Sequence, residues 1–321
     1  MKLRSCFNRS PLVRALASAS LLAFGSLFAQ TASAETIVGL TNTQQLAIFD
    51  AANPQSGSAL VNVSGLLSNE SLLGIDYRPS TGVLYGLGSG SRLYTINAGT
   101  GVASLVAALT TADGLAPFAL AGGAYGVDFN PVPDLGMTLA SLRVTSTAGE
   151  NLRINVNGAN AGRVSVDTQL SGPQGMPAIA GSAYTNPDRN PATGTALFGI
   201  DYVTDSAYQQ NPPNNGTLSL IGALGTDTTG LVGYDISISG IAYASLTSPL
   251  SGKSSLYTIG ANGAATLVGA FGIGGNTAIM PSLADIAITP VPEPAEYALL
   301  LCGLATVAVS VRRRAKAGNT A

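Results

Sequence analysis

Histidine and tryptophan are missing from all 321 residues, and cysteine occurs only twice. Without histidine there is no imidazole base for a Ser-His-Asp arrangement, no His-ligated zinc and no imidazole proton shuttle. The two cysteines, Cys6 and Cys302, lie near opposite ends, so no disulfide staples the long stretch between them. Charge is scarce too: Asp, Glu, Lys and Arg make up 10% of the chain. Eight of the fifteen basic residues sit in the ends: Lys2, Arg4, Arg9, Arg14, Arg312, Arg313, Arg314 and Lys316. The body from Glu35 to Pro290 keeps seven against fifteen carboxylates, a net charge of about −8. Such a body repels phosphate backbones, so nucleic acid is not an expected partner. Also lacking is any stretch of the body that holds a 3.6-residue apolar period over three turns.

What remains is short apolar runs separated by Gly, Asn, Pro and Asp turns, the pattern of many short strands. One phrase recurs. It reads Gly74-Ile75-Asp76-Tyr77 in "LLGIDYRP", Gly126-Val127-Asp128-Phe129 in "AYGVDFNP" and Gly233-Tyr234-Asp235-Ile236 in "VGYDISIS". "LADIAITP" carries Asp285, and "AGSAYTNP" keeps the outline without the Asp. Adjacent copies stand about 50 residues apart, a spacing of propeller blades. A trio of strand-like segments follows the first copy, "GVLYGLGSGSRLYTINAGTGVASLVAAL". Leu93-Tyr94-Thr95-Ile96 returns as Leu256-Tyr257-Thr258-Ile259. The N-terminal trio has no phrase ahead of it, and the last phrase has no trio behind it. Joining the two leftovers predicts an all-β fold: a β-propeller of five four-stranded blades, closed by pairing the C-terminal strand with the N-terminal blade. A six-bladed ring and a β-sandwich are the alternatives.

The ends read as addresses. The basic residues from Lys2 to Arg14, the apolar run Leu16 to Phe28 and Ala32-Ser33-Ala34 make residues 1–34 a signal peptide, with Ala32 and Ala34 marking cleavage before Glu35. Residues 291–321 hold Pro292-Glu293-Pro294, an apolar helix over 297–311 and a basic stop over 312–316 formed by Arg312, Arg313, Arg314 and Lys316. Fifteen helical residues span about 22 Å, short of a hydrocarbon core of about 30 Å. The arginines nevertheless stop transfer and stay cytoplasmic, which leaves the body outside. This tail resembles the PEP-CTERM sorting signal of exported bacterial proteins. The resemblance implies export machinery and an exosortase-type membrane enzyme as partners, transient anchoring by the C-terminal helix in the inner membrane, then release to the cell envelope or beyond.

The body, residues 35–290, resembles the bacterial family catalogued as domain of unknown function 4394. The phrases that carry the likeness are "GLTNTQQLAIFDAANP", "LLGIDYRPSTGVLYGLGSGSRLYTINAGTG", "YGVDFNP", "NLRIN", "AYTNP" and "QNPPNNGTL". The family follows its "DFNP" with an Asp-Arg pair that leads straight into a strand. Here Asp134 is followed by Leu135 to Ser141 before "LRVTS", and Arg143 is the candidate to replace that arginine. The resemblance implies architecture and no activity.

Three groups of residues are candidates for a site. Asp76, Asp128, Asp235 and Asp285 recur at matching positions and would place a carboxylate ring at the channel, suited to a hard cation such as Ca²⁺. Otherwise they bond backbone amides within their own blades, and no cofactor is required. Gln209, Gln210, Asn211, Asn214 and Asn215 lie in "YQQNPPNNGTL", a polar loop able to bond sugar hydroxyls, or a hairpin loop turning at Asn215-Gly216. Arg143 with "ENLRIN" offers mixed charge for a carboxylate or sugar, or a surface ion pair. "GLGSGS", Gly86 to Ser91, is a turn, because no helix follows to cradle a phosphate. The leading expectation is an exported, non-catalytic propeller that binds exopolysaccharide or envelope protein. A carboxylate-dependent carbohydrate-active enzyme is the alternative, and a spacer without a specific ligand the third reading.

Overall fold

The computed structural model describes residues 35–136, 139–190 and 192–290. The predicted signal peptide and sorting tail, with Ala32, Ala34, Pro292, Glu293, Pro294 and Arg312 to Arg314, lie outside these residues. No helix among the described residues is long and apolar enough to cross a membrane.

Alternating small and branched residues build five antiparallel sheets, each of four strands that run from the axis outward. Blade 2 comprises Leu72–Arg78, Val83–Gly88, Arg92–Ile96 and Ala103–Ala108. Blade 3 comprises Tyr125–Phe129, Leu142–Ser146, Asn151–Ile154 and Arg163–Val166, with Thr110–Thr111 added parallel on its outer edge. Blade 4 comprises Ile179–Tyr184, Leu197–Asp201, Ser206–Gln210 and Leu218–Ala223. Blade 5 comprises Val232–Ile236, Ala242–Thr247, Ser254–Ile259 and Ala265–Ala270.

Blade 1 joins the two ends of the body. Its inner strand is Leu283–Ile288, and Thr36–Thr41, Gln45–Asp50 and Val61–Asn62 follow outward. The closing register pairs Ile37 with Ile288, Val38 with Ala287 and Gly39 with Ile286. The five-bladed ring read from the repeats is therefore the observed architecture. Closure pairs an edge that an open array would expose.

The recurring phrase forms the inner strand of every blade. Its glycine is there because neighbouring inner strands nearly touch. A Cβ on Gly126 would lie 2.5 Å from the Ser182 nitrogen, and one on Gly233 would lie 2.4 Å from the Ile286 nitrogen. Apolar clusters fill the spaces between blades. Ile75, Leu84 and Tyr94 of blade 2 pack with Val38, Leu40 and Ala287 of blade 1. Ala183 and Ile200 of blade 4 pack with Val232, Tyr234 and Ile236 of blade 5. At the rim, chain leaving one blade hydrogen-bonds to the outermost strand of the next. The amide of Ala103 reaches the Ser64 carbonyl at 2.8 Å, that of Leu218 reaches Ser171 at 2.8 Å and that of Ala265 reaches Leu224 at 2.9 Å.

The sole described α-helix, α1, spans Pro131–Leu135 between the first two strands of blade 3. The Asn130 side chain caps it by accepting from the Val132 amide. Asp134 within it is fully buried and bonds Arg78 at 2.6 Å, which ties blade 3 to blade 2. "GLGSGS" divides as strand up to Gly88 and turn over Ser89 to Ser91, with no cradle.

Candidate functional site

Three carboxylates meet on the axis. Asp76, Asp128 and Asp235 sit one residue before Tyr77, Phe129 and Ile236 on three inner strands, all buried, and each offers an oxygen within 4.8 Å of the others. Among the described residues no cationic side chain faces them. Backbone amides do, and most come from the next blade. Asp76 Oδ2 accepts from Phe129 N at 2.7 Å, and Oδ1 accepts from Tyr77 N at 2.6 Å. Asp235 Oδ2 accepts from Ile288 N at 2.6 Å, and Oδ1 accepts from Ile236 N at 2.6 Å. Asp128 Oδ1 accepts from Tyr184 N at 3.0 Å. The expectation of bonds confined to one blade is thus corrected: each Asp stitches its blade to its successor. Each such bond satisfies a buried amide that would otherwise cost about 1–3 kcal/mol.

Asp285 belongs to a different level of the axis. Ile288 and Ala287 hold the positions that Phe129 and Asp128 hold in blade 3, since the same axial bond reaches Ile288 N. Asp285 therefore stands two residues out of register, about 6.7 Å along the strand, which corrects its place in the expected ring. It occupies the phrase's glycine position and lies 2.9 Å from where a Cβ of Gly74 would be. Its role is similar all the same, because Oδ2 accepts from Ile75 N at 2.8 Å and Oδ1 from Ile286 N at 2.9 Å. Four of the five blade junctions carry such an Asp. At the junction of blades 4 and 5 the position is Ala183, and apolar packing takes over.

Burial pushes the Asp76 and Asp128 carboxyls well above the ordinary range, and the neighbouring carboxylates push them further. Asp285 is raised well above that range by burial, then by Asp235. Burial raises Asp235 to about 7 against the pull of its two amides. Three anions without a counter-charge must share protons or hold a cation. Ca²⁺ takes six to eight oxygens at 2.3–2.6 Å. Here five of the six carboxylate oxygens already accept an amide, and only Asp128 Oδ2 accepts none. The adjoining cavity is about 20 Å³. These residues fit shared protons better than a Ca²⁺ cage.

The other candidates converge elsewhere. Arg143 is 1% exposed, not on the surface as an ion pair there would require. Its Nη1 donates to Asp167 Oδ2 at 2.7 Å and Asn151 Oδ1 at 2.8 Å. Its Nη2 donates to Asn214 Oδ1 at 2.7 Å and its Nε to the Tyr184 hydroxyl at 3.2 Å. Arg153 holds the same Asp167 with two 2.7 Å bonds. Asn151 and Gln210 share this network, and Asn151 Nδ2 donates to the carbonyls of Thr168 and Pro213. The "QQNPPNNG" loop is thereby strapped onto blade 3. Gln210 is buried and Asn214 committed, while Asn211 and Asn215 are exposed and Gln209 half-buried. The hairpin does turn at Asn215-Gly216, with Gly216 left-handed at φ 66°. Its described side-chain bonds serve adhesion between blades 3 and 4.

Sequence reasoning missed what lies beside the strap. Arg143, Arg153 and Arg163 line one cleft of about 450 Å³, with Asn130, Asn160 and Ser165. A larger cavity, about 680 Å³, opens where the inner strands begin; Asn42, Leu72, Tyr125, Thr229 and Ser282 are among its lining residues.

A ring of five radial sheets with amide-held acids on its axis defines the chain as a five-bladed β-propeller. It belongs to the family described as domain of unknown function (DUF4394), which matches residues 45–284. No curated protein matches it. Among solved structures it is similar to a protein of unknown function from Bacteroides thetaiotaomicron VPI-5482, at 14% identity and a TM-score of 0.38, over 73% of this chain and 50% of that one. It is also similar to a chain of a nidogen/laminin complex, at 11% identity and a TM-score of 0.45, over 80% of this chain and 98% of that one. The chain thus spans about half the length of the first. At these scores the likenesses carry no argument about ligand or partner.

Proposed function

We propose that the protein is an exported, non-catalytic propeller of the cell envelope or extracellular matrix that binds polysaccharide, and that the C-terminal tail delivers it there through an exosortase-type system. The observation that carries the binding reading is the 680 Å³ cavity. Among its described lining residues only Tyr125 is ionisable, and burial raises that hydroxyl to about 12. Asn42 and the loop backbone supply polar groups, and Leu72, Leu73 and Leu231 supply apolar floor. Concave, mostly apolar walls with few polar groups suit sugar rings, whose faces are apolar and whose edges are hydroxyls. The full-length protein, screened against neutral and acidic glycans, is expected to show saturable binding without turnover. Absence of binding to every glycan would overturn the reading.

One observation favours the enzymatic alternative: Asp235, raised to about 7, has the pKa of a general acid. Glycoside hydrolysis needs two carboxylates flanking a bound sugar. The cavity beside the axial acids is about 20 Å³, room for a single water. Turnover abolished by Asp235→Asn would decide for the alternative. The sorting reading is tested separately. Replacement of Glu293 by Ala is expected to hold the uncleaved form in the inner membrane, and unchanged release into the medium would remove any specific role for that residue.

A further inference from the structure

We infer that the arginine-lined cleft of blade 3, bordered by Asn214 of blade 4, is a binding site for a carboxylated sugar, such as a uronate unit of an acidic polysaccharide. This deepens the binding reading above by naming a ligand class and a second subsite. Seven cations serve the whole acidic body, and three of them line this one cleft. The register explains their convergence. Arg143 pairs with Arg153, and Arg153 pairs with Ser165. Arg163, two residues before Ser165, shares that face.

The three arginines are not equivalent. Arg143 and Arg153 hold the single carboxylate of Asp167, so that trio keeps one positive charge. Arg163 has no hydrogen-bond or ion-pair partner among the described residues. Asp113, whose charge it feels, is exposed and bonds Thr111 and the Leu115 amide instead. Elsewhere Arg78 pairs with Asp134, Arg92 with Glu70, and Lys253 donates to the Thr277 carbonyl. A half-buried guanidinium left unpaired beside a net positive trio, on a wall of amides and a hydroxyl, fits an anion that also carries hydroxyls. A guanidinium fork matches a carboxylate bidentately, as Arg153 already grips Asp167. Asn160 and Ser165, whose side chains make no described bond, are placed to meet ring hydroxyls.

The test is titration calorimetry of the full-length protein with a polygalacturonate oligosaccharide, an uncharged dextran and dextran sulfate. The expected result is saturable polygalacturonate binding that weakens roughly tenfold or more in Arg163→Gln. Arg163→Lys should recover only part of it, and Lys253→Gln, an equal change in charge elsewhere, should change it little. Equal losses in Arg163→Gln and Lys253→Gln, or dextran sulfate binding as tightly as polygalacturonate, would reduce the effect to general charge attraction and overturn the site. Binding of dextran with none of polygalacturonate would overturn the site and leave the propeller a glycan binder. No binding to any of the three would overturn the site, and the wider glycan screen then decides whether the propeller binds glycan at all. Thermal melts of each variant establish that it is folded; should Arg163→Gln melt early, Arg163→Lys alone decides, and affinity equal to wild type would overturn the fork.

Discussion

The axis and the junction of blades 3 and 4 both bury charge, and they solve the problem differently. On the axis three carboxylates face one another and are held by backbone amides. At the junction Asp167 faces two guanidinium groups. Amides can hold a carboxylate in place, but they cannot cancel its charge, so the axial acids repel and take up protons. Two guanidinium groups offset the charge of Asp167, so that carboxylate stays ionised and needs no proton. Geometry is served by both, yet only one is sensitive near neutral pH.

The largest expected effect breaks the junction. Arg143→Met strips Asn214 and Tyr184 of their donor and leaves Asp167 with Arg153 alone. Loss of one partner from a buried ionic network costs about 3–5 kcal/mol, to be read from urea denaturation. Next comes pH, where the two regions have opposite signs. A carboxyl whose folded pKa lies above its unfolded value binds its proton more tightly in the fold. The contribution of Asp235 is whole below its unfolded value of 3.8 and is lost as pH climbs through about 7. The melting temperature should therefore fall between pH 5 and pH 8, and a flat profile there would deny the shared protons. Asp167 runs the other way. Burial pushes it up, but bonds from Arg153 and Arg143 outweigh this and leave it lowered. Its contribution is present above the ordinary carboxylate range and is lost only in strong acid. The smallest expected effect separates binding from stability. Arg163→Gln should move the unfolding free energy by no more than about 0.5 kcal/mol, because that guanidinium holds nothing in the fold.

Much of the ring was legible because a propeller repeats its own sequence. The phrase around Asp76 and Asp128 marks inner strands, and the unmatched ends call for closure. Asp285 misled for a specific reason. Anchoring "LADIAITP" on its Asp puts Asp285 beside Asp76, whereas anchoring on proline is correct. Pro290 lies three residues after Ala287, as Pro79 lies three after Asp76 and Pro131 three after Asp128. The target of each axial carboxylate was not legible, since it is an amide about 50 residues away across a junction. Arg143 read as a surface charge because arginine is seldom fully buried unless paired, and its partners Asp167 and Asn214 are remote in sequence. The arginine cleft did leave a signal. Arg143, Arg153 and Arg163 recur every ten residues, the period of short strands joined by tight turns, which returns like residues to one face of a sheet.

The most direct test of the axis as a proton-sharing seam is the melting temperature of Asp128→Asn at pH 8, with and without millimolar Ca²⁺. The amide keeps an oxygen for the Tyr184 N–H and removes one of the three acids that repel one another, so the variant should melt above the wild type, and Ca²⁺ should shift neither. A variant that melts lower, beside a wild type that Ca²⁺ stabilises, would make the axis a cation site and contradict the account.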